Sequence, residues 1–229
     1  MTMLAETSAV DRGVELILDR VLPSSDATSS HQTIVDATPE LVWVALQELD
    51  LAEVVRSSRP ARALIAVRAV PARLADRLRG RPAQPPPEHV RMVDARPWVV
   101  LGEDAPRELV VGAIGRFWGP GVEWLDIEPT GFAAFDRPGY GKIAWGFTVL
   151  PYGKGRSILV DECRTRVTDP VSRERFRRYW KLVGPGASYV MGRTVALAKR
   201  HAEEAGGALG SRGRDGGVES GLLEELLEP

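Results

Sequence analysis

The sequence predicts an α+β domain. A curved antiparallel sheet is covered by one long C-terminal helix, with two helices or helix clusters after the first strand. Three observations carry this. Short β-rich runs separated by Gly/Pro turns fill the middle of the chain, the mark of an antiparallel meander. A well-signalled amphipathic helix precedes them. A long apolar stripe follows, with Phe176, Trp180, Val183, Ala187, Val190, Thr194, Leu197 and His201 recurring at alternating steps of four and three, which is one helical face.

Taken in order, residues 1–25 form a loose N-terminal segment. Within it Val14, Ile17, Leu18 and Val21 share the face of a short docking helix. The domain proper is assigned to 26–205, and 206–229 read as a disordered tail in which only LLEELL has amphipathic character. Ala27 to Asp36 reads as a strand. The next helix, 38–49, starts with Thr38 at the N-cap, Pro39 at the first helical position and Glu40 in the first turn.

Residues 56–81 carry Arg56, Arg59, Arg62, Arg68, Arg73, Arg77, Arg79 and Arg81 against the single acid Asp76, with Leu64, Ile65, Val67, Val70, Leu74 and Leu78 as an apolar side. Two readings stand: a surface helix pair with a solvated basic face, or a lid resting on anionic membrane while a lipid passes beneath it.

RPAQPPPEH (81–89) is a stiff loop. Strand-like runs follow at 98–101, 109–118, 131–135, 143–150 and 157–167. Asp169 then caps the long helix with Pro170 behind it, and Lys199, Arg200 and His201 approach its end before Gly206-Gly207.

Composition sets the outer limits. A chain of 229 residues, 44% apolar, can bury a real core. A net charge of −1 provides no global field for nucleic acid, so no such partner is expected. One cysteine, Cys163, makes no internal disulfide. The N-terminus lacks the features of a secretory signal, and the apolar run at 63–67 is far too short to span a bilayer; the expectation is a cytoplasmic protein. Arginine outnumbers lysine 26 to 4 and asparagine is absent, the usage of a GC-rich bacterial genome.

Most chemical motifs fail. His31, His89 and His201 with Cys163 show no metal spacing, so neither metal nor cofactor is predicted. GYGKIA (139–144) fits a dinucleotide fingerprint in letters, but a strand follows it where a helix is required. A P-loop fails at Asp136 and Ile143, and there is no G-x-S-x-G.

In the strand 143–150, Ile143, Trp145, Phe147 and Val149 point one way, toward the concave face, either as plain core or as walls of a cavity. The last strand depends on one loop. An even-numbered turn at YGKG places Glu162 and Arg164 beside Trp145 on the inner face; a three-residue loop places Asp161 and Cys163 there instead, because a one-residue slip flips every side chain. Glu162 and Arg164 are the favoured pair. Arg116, in GRFW, is a further candidate on a face the sequence leaves open.

The order of elements, with HQTIVDATPELVWVALQELDL, ELVVGAIGRFW and FRRYWKLVGPGASYV, resembles the START/polyketide-cyclase (SRPBCC) superfamily over Asp26 to Ala205. The resemblance implies a helix-grip fold whose members hold an apolar ligand between sheet and terminal helix. Gly184-Pro185-Gly186 fits that picture, since it weakens the axis of the long helix without shifting its stripe. A dry void of roughly 300 Å³ would cost about 7 kcal/mol against a total stability of about 5–15 kcal/mol. Such a space is therefore filled, wetted or shrunk by large side chains.

The expected function is binding or carriage of a small lipid-like or polyketide-like ligand. Its walls would be Trp145, Phe147, Trp180, Val183, Ala187 and Val190, and its polar anchors Glu162 and Arg164. The alternative is a polyketide cyclase/aromatase-type enzyme drawing on Tyr179 and Tyr189 with Glu162 and Arg164.

Overall fold

The computed structural model describes residues 15–63, 66, 77, 89–119 and 121–224, with side chains to residue 208. Most of the basic 56–81 segment lies outside these residues, as do residues 1–14. Helix α1 (Ile17–Val21) precedes β1 (Ala27–Val35), α2 (Pro39–Gln47) and α3 (Leu51–Arg56). Strands β2 (Val99–Asp104), β3 (Glu108–Arg116), β4 (Glu123–Trp124), β5 (Gly141–Pro151) and β6 (Ser157–Val167) follow, and α4 (Pro170–Glu224) ends the chain.

The curved sheet runs β1-β6-β5-β3-β2 with β4 on β3, every pairing antiparallel. With α4 against its inner face, this is the helix-grip arrangement that the sequence predicts. Among the described residues no helix is long and apolar enough to cross a membrane.

The sheet buries both faces. On the outer one, α1 lies directly on the backbone: a Cβ at Gly102 would stand 2.7 Å from Ile17 Cγ2, and one at Gly146 3.1 Å from Leu18 Cδ2. Glu108, itself buried, anchors this helix by accepting hydrogen bonds from the Ile17 and Leu18 N–H groups at 2.7 and 3.0 Å. These are donors that a helix start cannot satisfy internally. The inner face carries α2, α3 and α4 over Val35, Leu46, Leu109, Phe147, Leu159 and Val195.

Some expectations are corrected. Residues 131–135 form no strand; Pro129–Gly131 is a 3-10 turn that drives Phe132 into the outer cluster. Strand β4 lies in what reads as a polar loop. Thr38 is the N-cap of α2, but its hydroxyl makes no capping bond to the backbone. The long helix does not stop at Gly206-Gly207 and is helical to Glu224. Two glycines cost propensity, about 1 kcal/mol each, but introduce no clash.

The start of α4 is as predicted. Asp169 accepts from Ser172 N–H at 2.9 Å and from Gly139 N–H at 2.7 Å. These backbone donors hold its carboxyl below the ordinary range.

Candidate functional site between sheet and terminal helix

The hairpin between β5 and β6 decides what the inner face presents. Tyr152 N–H bonds the Arg156 carbonyl at 2.9 Å, closing the three-residue loop Gly153-Lys154-Gly155. Both glycines adopt positive φ, 65° and 68°, a conformation other L-residues rarely take. Trp145 therefore lies opposite Cys163, and Phe147 opposite Asp161.

Glu162 and Arg164 consequently face outward, correcting the favoured reading. They sit opposite Gly146 and Ala144. Arg164 there bonds Glu162 at 2.6 Å, Asp19 at 2.8 Å and the Leu22 carbonyl at 3.1 Å. The pair fastens α1 to the sheet and does not reach the inner face.

The predicted stripe is buried at Phe176, Thr194 and Leu197, with Gly184, Met191, Val195, Ala198 and Ala202 buried beside it. Over the middle of the helix the face is rotated from its predicted setting, and Trp180, Val183, Ala187 and Val190 are half-buried on the flank. Trp180 packs on Phe176 at 5.6 Å.

Along the inner face the apolar packing falls into two clusters. One, toward α2, holds Trp145, Phe147, Val149, Leu159 and Met191; the other, at the start of α4, holds Phe117, Val167 and Phe176. Between them sits a polar group drawn from three elements. His31 of β1 is directly opposite Asp161 of β6, and Ser188 of α4 meets His31.

Ser188 Oγ lies 3.1 Å from His31 Nε2, and His31 Nδ1 lies 3.6 Å from Asp161 Oδ2. Trp145 Nε1–H donates to Asp161 Oδ1 at 2.9 Å. Among the described residues neither His31 Nδ1 nor Asp161 Oδ2 has a hydrogen-bond partner.

Burial pushes the Asp161 carboxyl up to about 7, against the Trp145 hydrogen bond, which favours the ionised form; the charge of Glu162 adds to the rise. Burial, with the charges of Asp161 and Glu162, pushes the neighbouring Cys163 thiol up as well, which makes it a poor nucleophile.

Trp98 tilts over Trp145 at 5.8 Å and forms part of the wall. Phe147 is fully buried and belongs to the packed core. Ser29, His31, Ile143, Cys163, Ala187 and Ser188, all at or beside the break between the clusters, are partly exposed.

Tyr179 and Tyr189, weighed for an enzyme, do not converge here. Tyr179 packs near Phe117, and Tyr189 hydroxyl lies 3.0 Å from Ser58 Oγ at the surface. Arg116 is exposed and lines a separate open cleft of about 460 Å³ with Trp118 and Arg175. A second cleft, of about 300 Å³, lies outside the sheet beside α1.

The sequence reading missed His31 and Ser188. Period-two alternation along β1, with Val35 inward, already puts His31 on the inner side. Ser188 is adjacent to Ala187 of the predicted stripe, and only the rotation of α4 brings it in.

No protein-family model matches the sequence, and no curated protein matches it either. Among solved structures, a Thermus thermophilus protein shares 10% identity, with 78% of this chain and 99% of that one covered at a TM-score of 0.32. A norcoclaurine synthase point mutant from Thalictrum flavum, in complex with a transition-state analogue, shares 14% identity over 78% and 96% of the two chains, at 0.32. The Zhui aromatase/cyclase from Streptomyces shares 14% over 79% and 98%, at 0.29. At these scores the likeness carries no argument about function.

Proposed function

We propose that the protein binds a small, largely apolar molecule between the inner sheet face and α4, with its polar end toward Ser188, His31 and Asp161. One observation supports this above the rest. His31 Nδ1 and Asp161 Oδ2 face each other at 3.6 Å, beyond hydrogen-bond reach and with no other hydrogen-bond partner among the described residues, at a break between two apolar clusters where neighbouring side chains stay partly exposed. Unpaired buried polar groups cost about 1–3 kcal/mol each, so a layer built purely for stability would close over apolar residues instead. In this reading Trp145, Trp180, Val183, Ala187 and Val190 serve as the apolar walls. The anchors are Asp161 and His31 in place of Glu162 and Arg164.

A cyclase-type enzyme is the second reading. Its predicted residues are scattered, but His31 and Asp161 supply an acid–base pair in their stead.

Binding is tested with an environment-sensitive hydrophobic dye. Wild-type protein should take it up, and Ala187→Trp, which fills the flank of the break, should weaken uptake at least about tenfold, or 1.4 kcal/mol. No uptake by the wild type, or equal uptake by the variant, refutes the proposal.

Peripheral contact with an anionic membrane through 56–81 is a separate proposal. Arg59, Arg62 and Arg77 are exposed. Liposome association should fall as salt rises; binding indifferent to salt contradicts it.

A further inference from the structure

Ser188, His31 and Asp161 form a line that runs from partly exposed residues to a buried carboxyl. Ser188 is half-buried on α4; the His31 side chain is 27% exposed and that of Asp161 0%. The hydroxyl meets one imidazole nitrogen at 3.1 Å, and the other nitrogen faces the carboxylate at 3.6 Å. Trp145 fixes the carboxylate from behind through its Nε1–H. Gly192, one turn beyond Ser188, gives the imidazole its space, since a Cβ there would lie 3.3 Å from His31 Cδ2.

A weak nucleophile becomes reactive when a base within hydrogen-bond reach is itself oriented by a third group. Such sets are recognised by geometry and role, not by sequence position.

We propose that Ser188 is a nucleophile with His31 as its general base and Asp161 as the residue that positions the imidazole, and that the site takes an ester or thioester of an apolar acid. This rests on the binding proposal and gives it a substrate class. In the step, the Ser188 Oγ–carbon bond forms and the bond to the leaving alkoxide or thiolate breaks. The hydroxyl proton passes to His31 Nε2 and then to the leaving group. Water, deprotonated by the same nitrogen, later releases the acid and restores the hydroxyl. Inside a helix the Ser188 N–H is taken by the carbonyl one turn earlier, so it provides no donor for the oxyanion. Acyl transfer to Ser188 is therefore easier to observe as an adduct than as rapid turnover.

The test treats the full chain with a long-chain alkyl fluorophosphonate and follows intact mass, peptide map and dye uptake. Attack by Ser188 forms the Oγ–phosphorus bond and expels fluoride, while the proton goes to His31 and on to solvent. One adduct on Ser188 is expected in the wild type. It should be absent in Ser188→Ala and form at least about 100-fold more slowly in His31→Gln, the usual scale of lost general-base assistance, with the melting temperature of both variants showing that they fold. Dye uptake without an adduct, an adduct on another residue, or an unchanged rate in His31→Gln overturns the nucleophile and leaves the binding proposal standing. Absence of dye uptake in the wild type overturns both. If a variant fails to fold, the wild-type peptide map decides alone.

Discussion

Asp161→Asn is expected to stabilise the protein at about pH 8 and to flatten the pH dependence of its stability. In the folded chain the Asp161 carboxyl titrates at about 7, against 3.8 for an ordinary aspartate. Between these values the folded state keeps a proton that the unfolded state has released, so stability falls as pH rises through the window. At 1.36 kcal/mol per unit the full effect is about 4 kcal/mol. Asparagine retains an oxygen for the Trp145 Nε1–H and cannot ionise. Urea denaturation at about pH 5 and about pH 8 should show the wild type losing stability and the variant holding it. A flat wild-type profile, or a variant destabilised at the higher pH, would contradict the role given to burial.

Phe147→Ala should be the most damaging single change on the inner face. Phe147 is 0% exposed, lies opposite Leu109 on β3 and touches Trp145 at 5.0 Å between ring centroids. Removing a buried phenylalanine costs about 3–5 kcal/mol, including the cavity left behind. A domain of ordinary stability has about 5–15 kcal/mol in total, so about a fifth or more is at stake. The damage extends to the site, because Trp145 holds Asp161 and would lose its neighbour. Chemical denaturation reads the loss directly. A change below about 1 kcal/mol, on the scale where the same substitution costs several, would mean that the cluster around Phe147 is not the core that holds sheet to helix.

Much of the architecture is readable without coordinates because its signals are local. Val35 before Thr38-Pro39-Glu40 marks a strand giving way to a helix, and Asp169-Pro170 marks the start of the terminal one. The alternation Ile143, Trp145, Phe147, Val149 marks a strand with one bulky face. The Gly-Pro-Gly at 184–186 does not break α4, which continues through Pro185; one missing hydrogen bond and some propensity are outweighed by a face packed along the sheet. The run at 131–135 misleads because Phe132 looks like a strand residue, yet reaches the outer cluster from a turn.

The functional assignment was harder, for a physical reason that Glu162 and Arg164 illustrate. Which alternating set of β6 faces inward depends on the parity of a single loop, and Gly153-Lys154-Gly155 closes with three residues. That choice replaces an outward ion pair with Asp161 and Cys163.

The chain by itself therefore determined the order and kind of its elements, since capping, periodicity and turn chemistry act over a few neighbouring residues. Only the tertiary structure decided that residues 31, 161 and 188 meet. Their meeting depends on strand register, on the rotation of α4 and on the docking of one upon the other, and each of these is set by contacts between segments far apart in sequence.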